Sequence, residues 1–327
     1  MKKKILLVLG AFALVLTGCG KEVVPKLENG KEVVASIDGY NLTAEDLYEQ
    51  LKKRNGINIV INEIDRAIAD KEIKDSKDAE KYADGQVEAL RVQFKQTYNV
   101  ELEEVLPQYG YENVEQLRND MISDYKKDLV LTNYLEGKVT EEEINKYYEN
   151  EIFGQMTVKH ILIKPEVKDG MSSEEKKAAE DAAKKKAEEL IVKLNEGAKF
   201  DDLAKDHSDD EGTASQGGLF ADFTKEGVDE SFFNASLALE NDKYTTTPVK
   251  SAFGYHIILK VSQNEKPKLE DVTDTIKEKI VNNKLEENSN LSVTVWDEIR
   301  KEHKIKINDS ILEKNYNTVI NQYKKSL

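Results

Sequence analysis

The sequence predicts an α+β protein in which a small domain, rich in antiparallel strands and carrying helices, is inserted into a mostly α-helical domain. Two observations support this prediction. Strand-like segments at Thr157–Ile163 and Tyr255–Val261 enclose about a hundred residues of mixed character. The segments before and after them share a Lys- and Glu-rich helical periodicity, so both flanks are expected to build one domain. A chain of 327 residues is long enough for two domains.

The first residues form a leader of a different composition. Lys2, Lys3 and Lys4 precede an apolar run from Ile5 to Leu16, which is too short to span a bilayer but has the length of a signal-peptide core. The run ends in Leu16-Thr17-Gly18-Cys19, which resembles the lipobox of bacterial lipoproteins. That resemblance implies a signal peptide over 1–18, a lipid on Cys19, and a polar tether over 19–32. The predicted location is extracytoplasmic, on the outer face of the bacterial cell membrane.

Charge and cysteine content exclude several classes of protein. The formal net charge is −15, and removal of residues 1–18 with their three lysines takes it to −18. Such a chain is not expected to bind nucleic acid or to adhere to anionic lipid through its charge. Cys19 is the only cysteine, so the protein is expected to form no internal disulfide.

The N-terminal part of the helical domain is predicted over 33–154. Apolar positions on either side of Asp38-Gly39 predict a hairpin from Val33 to Leu42, because this dipeptide favours a tight turn. Thr43 is a predicted helix N-cap, and helical periodicity then runs to about residue 135. Thr140-Glu-Glu-Glu143 predicts a capping box and a further short helix.

The inserted domain is predicted over 155–262, with the order strand, two helices, strand, helix, strand, strand. Ser172-Ser-Glu-Glu175 predicts the cap of its long helix, and Phe200–His207 forms the second. Asp229–Leu239 is a predicted short helix, and Thr246–Val249 precedes the last strand. This pattern is typical of a compact α+β domain.

The C-terminal part of the helical domain is predicted over 263–327. Its pattern is helical except at Lys304-Ile-Lys-Ile-Asn308, where alternating isoleucines predict a short strand. A strand near Ile305 and one near Ile37 are expected to pair and to bring the two flanks together. The inserted domain then lies between two halves of one domain.

Two of the four histidines lie in predicted strands of the inserted domain. His160 stands in Val158-Lys-His-Ile-Leu162, and His256 stands in Gly254-Tyr-His-Ile-Ile258. Apolar neighbours indicate that each ring points to a covered face of the sheet. The simpler interpretation is that both are core histidines whose hydrogen bonds are satisfied and which have no catalytic role. The alternative is a functional site that uses both histidines.

The inserted domain resembles the parvulin family of peptidyl-prolyl isomerases. Seven segments in one order over about a hundred residues carry the resemblance: Val158-Lys-His-Ile-Leu-Ile163, Phe200-Asp-Asp-Leu-Ala204, Ser208-Asp209, Gly217-Gly218, Phe232, Pro248-Val249 and Gly254-Tyr-His-Ile-Ile258. The resemblance implies isomerisation of X–Pro bonds, which breaks no covalent bond and so requires no cofactor and no metal.

The same resemblance implies roles for individual residues. His160 and His256 are the paired histidines, Asp210 takes a position held by cysteine or aspartate, and Ser251 supplies a hydroxyl; these four are the predicted catalytic residues. The predicted substrate-binding residues are Phe232, Val228 and Leu237, which surround the proline ring. The loop after the first strand has Lys164 and Lys168 among acids and no arginine, so an unphosphorylated client is expected.

Over its whole length the chain resembles the PrsA-type foldase lipoproteins, and Val33–Ile64 is similar to the chaperone region of SurA-type proteins. The resemblance implies a foldase for newly exported or unfolded proteins with X–Pro bonds, and leaves a homodimer open. Gly217-Gly-Leu-Phe-Ala-Asp-Phe223 and Glu226-Gly-Val-Asp229 depart from the family pattern beside the proline pocket. The alternative is therefore a non-catalytic holdase chaperone with a degenerate parvulin domain.

Three further interpretations stay open at this stage. The acids and imidazole of Asp206-His-Ser-Asp-Asp-Glu211 are candidate ligands for calcium or zinc, although their spacing matches no known ligand pattern. A solute-binding or adhesive lipoprotein is another class. Tyrosines in the flanks are candidates to line a client cradle: Tyr98, Tyr109, Tyr111, Tyr125 and Tyr134.

Overall fold

A computed structural model describes residues 26–27 and 29–325. The predicted signal peptide and Cys19 lie outside the described residues. Among the residues that are described, no helix combines the length and the apolar character that crossing a membrane requires.

The described chain is mainly helical with two small antiparallel sheets. The helices are α1 (Ala44–Arg54), α2 (Gly56–Glu72), α3 (Lys77–Tyr98), α4 (Leu102–Val105), α5 (Val114–Glu136), α6 (Glu141–Glu151), α7 (Ser173–Asn195), α8 (Phe200–His207), α9 (Glu230–Ala238), α10 (Leu269–Glu287), α11 (Leu291–Glu302) and α12 (Ser310–Lys324). The strands are β1 (Val33–Ile37), β2 (Tyr40–Thr43), β3 (Met156–Ile163), β4 (Leu219–Phe223), β5 (Val249–Ser251) and β6 (Gly254–Gln263). Short 3-10 helices span Leu106–Tyr109 and Ala214–Gln216. The predicted α+β class is confirmed.

The chain divides into two compact units. Among the described residues, the terminal unit comprises those up to Val130 together with those from Ser292 onward, and the central unit comprises Leu131–Leu291. The segment 155–262 lies within the central unit. That unit extends further at both ends because α6 and α10 pack on each other through Ile144, Ile276 and Ile280.

The terminal unit joins segments that are far apart in the sequence. Its core includes Ile57 of α2 together with Leu312, Tyr316 and Ile320 of α12. The predicted hairpin is present, with β1 paired antiparallel to β2 and Asp38-Gly39 at the turn. Thr43 caps α1 with a complete capping box.

The predicted strand at residues 304–308 is wrong. Lys304 adopts a left-handed conformation with φ of 57° after the end of α11, and the residues that follow are irregular. Ile305 and Ile307 alternate because both pack against the core formed by α2 and α12. Their period of two therefore reflects burial on helices rather than membership of a sheet.

The central unit is built on a four-stranded antiparallel sheet with the order β4-β3-β6-β5. Strands β3 and β6 occupy the middle, and helices cover both faces. Ile161 and Ile257 face α7 and α8 in one core cluster, whereas Val158 and Ile258 face α9 in the other. The two middle strands are buried along most of their length because helices cover both of their faces. The predicted order of elements is confirmed, although the strand predicted at Thr246–Val249 lies at Val249–Ser251.

Candidate active site

The two middle strands bring His160 and His256 together on the face of the sheet that α9 covers. Leu162 of β3 pairs with His256, and His160 pairs with Ile258, so the two imidazoles lie diagonally across the strand pair. Their Nδ1 atoms are 3.4 Å apart, and their ring centroids are 5.5 Å apart. Both side chains are buried, with His160 7% exposed and His256 5% exposed.

A continuous set of hydrogen bonds runs through both rings. Nε2 of His160 lies 3.0 Å from Oδ2 of Asp210 and 3.2 Å from Oγ1 of Thr213, and the Thr213 hydroxyl donates to the same carboxylate. At the other end, Nε2 of His256 lies 2.7 Å from Oγ of Ser251. The backbone N–H of Phe253 donates to that oxygen at 3.0 Å.

The two ends of this set fix its direction. An ionised Asp210 only accepts, so Nε2 of His160 carries a proton and its Nδ1 is an acceptor. Nδ1 of His256 then donates to it, and Nε2 of His256 accepts the Ser251 hydroxyl proton. Two neutral imidazoles in opposite tautomers satisfy these contacts, and neither ring needs a positive charge.

The pKa values agree with neutral rings. Burial lowers the pKa of His160, and the charge and hydrogen bond of Asp210 oppose this effect only in part. Burial also lowers the pKa of His256 to about 4, and repulsion from His160 acts in the same direction. For Asp210, burial favours the neutral acid, but the Thr213 hydroxyl and His160 outweigh it and lower the pKa of the carboxyl.

A cavity of about 560 Å³ opens beside this hydrogen-bonded set. Phe232 lies edge-on to both imidazoles, with centroid distances of 5.4 Å to His160 and 5.0 Å to His256. Phe220 lines the cavity and stacks on Phe223 at 4.7 Å. The remaining lining residues are Leu162, Lys164, Asp210, Gly212, Thr213, Gly227, Val228, Asp229 and Phe253. An aromatic floor with a polar edge suits an apolar ring attached to a peptide group.

Local chain geometry holds the cavity walls in place. Gly218 has φ of 80°, and a Cβ there would lie 2.2 Å from the carbonyl oxygen of His160, so only glycine allows this approach to β3. Asp229 caps α9 through bonds from the N–H groups of Ser231 and Phe232, and its other oxygen accepts from the N–H of Ala252. One carboxylate thus positions both α9 and the turn between β5 and β6.

The structure brings together most of the residues that the sequence singles out. His160, Asp210, His256, Phe232 and Val228 line the cavity, and Ser251 contacts the ring of His256. Leu237 instead packs in the core around Phe232 and Phe233 and is not among the lining residues described. The roles assigned to these seven residues stay predictions.

The lining residues that sequence reasoning did not assign to the site include Thr213, Phe220, Asp229 and Phe253. Phe220 and Asp229 belong to the two segments that depart from the parvulin pattern, so the departure itself marked them. Thr213 lies three residues after Asp210, a spacing at which a turn brings the hydroxyl of one side chain to the carboxylate of the other. No sequence signal identified Phe253, which lies in the turn between β5 and β6.

Two of the acidic residues in the segment 206–211 make different contacts and do not form one ligand set. Asp209 accepts from the backbone N–H of Lys164, whereas Asp210 belongs to the histidine set. Across residues 26–27 and 29–325, no group of three or more histidine, cysteine or acidic side chains is placed to hold a metal ion.

Residues 142–265 match the family model of the PPIC-type PPIase domain. The chain is 30% identical over 291 residues to the foldase protein PrsA of Bacillus subtilis strain 168, covering 88% of this chain and 87% of that one. It is 31% identical over 274 residues to foldase protein PrsA 1 of Listeria monocytogenes serotype 4b, covering 81% and 77%.

Solved structures show the same fold. The crystal structure of foldase protein PrsA from Streptococcus pneumoniae aligns with a TM-score of 0.59 at 20% identity, covering 87% of this chain and 98% of that one. The structure of a peptidylprolyl isomerase, PrsA, from Bacillus cereus aligns with a TM-score of 0.50 at 22% identity, covering 88% and 98%.

Proposed function

The chain belongs to the PrsA foldase family and carries a PPIC-type peptidyl-prolyl isomerase domain, and we propose that it isomerises X–Pro bonds of exported proteins in the cavity beside His160 and His256. In this proposal the proline ring lies on Phe232, flanked by Val228 and Phe220. The two histidines, Asp210 and Ser251 form the polar edge that faces the rotating amide.

The reaction itself explains the composition of the cavity. Rotation about a peptide bond faces a barrier of ~18–20 kcal/mol because resonance gives the C–N bond partial double-bond character. The planar amide separates charge more than the twisted one does. A dry, apolar cavity therefore disfavours the planar ground state relative to the twisted transition state.

The polar edge contributes in a second way. The Asp210–His160–His256–Ser251 set is a connected hydrogen-bond network with neutral rings, so it adds no net positive charge to a cavity that must accept an apolar ring. Its fixed N–H and O–H dipoles act on the twisted amide, whose nitrogen lone pair has localised, while each keeps its bond within the network. Because the network is fixed before the substrate binds, it does not reorganise during rotation.

The single observation that carries the proposal is the arrangement of Phe232 edge-on to both imidazoles at the floor of one cavity. A core histidine pair without function would be covered by its neighbours. Here the pair instead borders a space of about 560 Å³.

The test is NMR exchange spectroscopy on an unphosphorylated Ala-Pro peptide with purified protein carrying residues 20–327. Wild-type protein is expected to accelerate cis–trans exchange, and His256→Ala and Asp210→Ala are expected to lower kcat/KM at least tenfold while remaining folded. His207→Ala and Asp206→Ala, which replace the same residue types outside the cavity lining, are the matched controls. A folded wild-type protein without any acceleration would contradict the proposal.

We further propose that a lipid on Cys19 anchors the protein at the outer face of the cell membrane. The support is the Leu16-Thr17-Gly18-Cys19 sequence, which follows an apolar run. Two acyl chains provide stable attachment where one provides a marginal one. A Cys19→Ser variant is expected to leave the membrane fraction, and its full retention there would contradict the anchor.

A second candidate function, client holding, rests on the terminal unit. A cleft of about 790 Å³ is lined by Phe94, Tyr98 and Tyr109, and the last two rings are more than 60% exposed. Tyr111 also lines this cleft, whereas Tyr125 packs against Tyr82 instead. Suppression of client aggregation that survives in His256→Ala but falls in Tyr98→Ser would support holding as a separate activity; unchanged suppression in Tyr98→Ser would remove this cleft from it.

A further inference from the structure

The mouth of the cavity carries an exposed phenylalanine. Phe253 lines the cavity and is 64% exposed. Among the phenylalanines that the structure describes, it alone falls in the exposed class. Phe220, Phe223 and Phe232 contact one another, and Phe220 and Phe232 also contact His160. An exposed aromatic ring contributes little to folding stability, and what distinguishes Phe253 from other exposed apolar residues is its place in the lining of the cavity.

The backbone at Phe253 is held from three directions. Its own N–H donates to Oγ of Ser251 at 3.0 Å, and the N–H of Ala252 donates to Asp229 at 3.2 Å. On the other side, Gly254 has φ of 141°, and a Cβ there would lie 2.4 Å from the carbonyl oxygen of Ile163. The turn is therefore pressed onto the end of β3, and the ring is presented at a fixed place rather than on a flexible loop.

The size of the cavity indicates what meets this ring. Pockets of several hundred Å³ take ligands of about drug size, larger than one five-membered proline ring. With the proline on Phe232, the remaining space toward the mouth admits the side chain of an adjoining residue. Lys164 is a second exposed residue of the cavity lining. It lies close to the turn, since a Cβ at Gly254 would be 3.1 Å from the Cα of Lys164.

We propose that Phe253 is a specificity-determining residue, which contacts the client residue adjoining the proline and favours large apolar or aromatic side chains there. This inference rests on the proposed isomerase function. The aromatic face supplies a contact area that an alanine neighbour cannot use. Because the turn already has a fixed conformation, its backbone loses little conformational entropy when the contact forms.

The proposal predicts a selectivity that kinetics can measure. Two series of unphosphorylated peptides vary the residue before or after proline among Ala, Leu, Phe and Glu, and exchange is measured by NMR with residues 20–327. In one series, wild-type kcat/KM is expected to be roughly threefold to tenfold higher for Leu and Phe than for Ala. Phe253→Ala is expected to reduce that ratio to near one, and Phe253→Leu to retain part of it.

Two controls separate the inference from its alternatives. Val192→Ala removes another exposed apolar side chain of the central unit, outside the cavity lining, and is expected to keep the wild-type ratio. Lys164→Ala is expected to alter only the Glu to Ala ratio. A wild-type protein that accelerates all peptides equally, that favours only Glu, or whose ratio persists in Phe253→Ala overturns the role of Phe253. Acceleration of no peptide at all by folded wild-type protein overturns the isomerase function instead.

Discussion

Each of the two units buries a polar network, and the two networks are built on opposite principles. In the terminal unit, Asp65 and Arg300 form a two-pronged ion pair with both N–O distances at 2.6 Å, and the two residues are 7% and 3% exposed. In the central unit, His160 and His256 are equally buried but neutral at pH 7, because burial lowers the pKa of each ring. Two opposite charges hold the first network, whereas the second joins two neutral rings by hydrogen bonds and is charged only at Asp210.

The difference relates to what each network joins. Asp65 and Arg300 are 235 positions apart and connect the two chain segments that form the terminal unit. A buried ion pair is costly to break, so it favours one arrangement of these helices. The histidine network instead borders a cavity, where a positive charge on either buried ring would retain water and oppose the binding of an apolar ring.

The largest predicted effect comes from breaking the ion pair on one side. Asp65→Asn is expected to lower the free energy of unfolding of the terminal unit by about 3–5 kcal/mol, because it leaves a buried guanidinium without its counter-charge. Arg300→Met is expected to cost less: burial already raises the pKa of Asp65, so the orphaned acid can take up a proton. Denaturation followed by fluorescence of Trp296, the only tryptophan, measures both losses.

The double variant Asp65→Asn with Arg300→Met provides the control, since it leaves neither charge unpaired. It is expected to recover much of the stability lost in Asp65→Asn. Equal losses in the two single variants would contradict the asymmetry. Exchange of an Ala-Pro peptide is expected to persist in all three variants wherever the central unit stays folded.

Acid is expected to affect the central unit through His256. Its pKa is about 4 in the folded protein and near 6.5 in the unfolded chain, so the unfolded state binds more protons between these values. Stability is therefore full above pH 6.5 and declines as the pH falls toward 4, by roughly 3 kcal/mol for this one group. Urea titrations of the central unit, followed by NMR of its isoleucine methyl groups, measure the decline.

The matched variant for this effect is His256→Gln, which removes the titrating group. Its loss of stability between pH 6.5 and 4 is expected to be smaller than that of wild type by the same amount. A direct titration of the His256 Cε1 proton is the sharper measurement. A titration midpoint above pH 6 would contradict the prediction that burial lowers the pKa of His256.

The smallest predicted effects come from removing one hydroxyl from each network. Thr213→Val deletes a bond to Asp210. Tyr316→Phe deletes a bond of 2.8 Å to the buried carboxylate of Asp297, from a ring that lies 5.8 Å from the guanidinium of Arg300 and so extends the ion-pair network. Each is expected to cost about 1 kcal/mol in its own unit. Only Thr213→Val is expected to lower kcat/KM on an Ala-Pro peptide; an equal fall in Tyr316→Phe would mean that the two networks do not differ in function as described.

The sequence was sufficient for the elements whose signals are local. The predicted caps at Thr43, Thr140 and Ser172 are all formed, each as a capping box, since a hydroxyl and an acid three residues later meet within one turn. The family pattern located His160, Asp210 and His256, which the structure brings to one cavity.

What the sequence did not predict depends on packing between distant segments. Ile305 and Ile307 alternate like a strand, but the surface that covers them is helical. The place of Phe253 at the cavity mouth depends on a close approach between Gly254 and Ile163, which are remote in the chain. The double use of Asp229 likewise requires the turn of Ala252 to reach it across 23 positions.

The composition of the terminal unit from both ends has a consequence for the order of folding. A chain that emerges from its N-terminus first presents Asp65 long before Arg300 exists as its partner. All of the central unit, Leu131–Leu291, is complete before the segment from Ser292 emerges. All residues of the isomerase domain are thus available for folding before synthesis ends, whereas α1 and α2 lack the packing partner that α12 provides. A chain truncated before α11 would contain the whole isomerase domain but only the N-terminal part of the terminal unit.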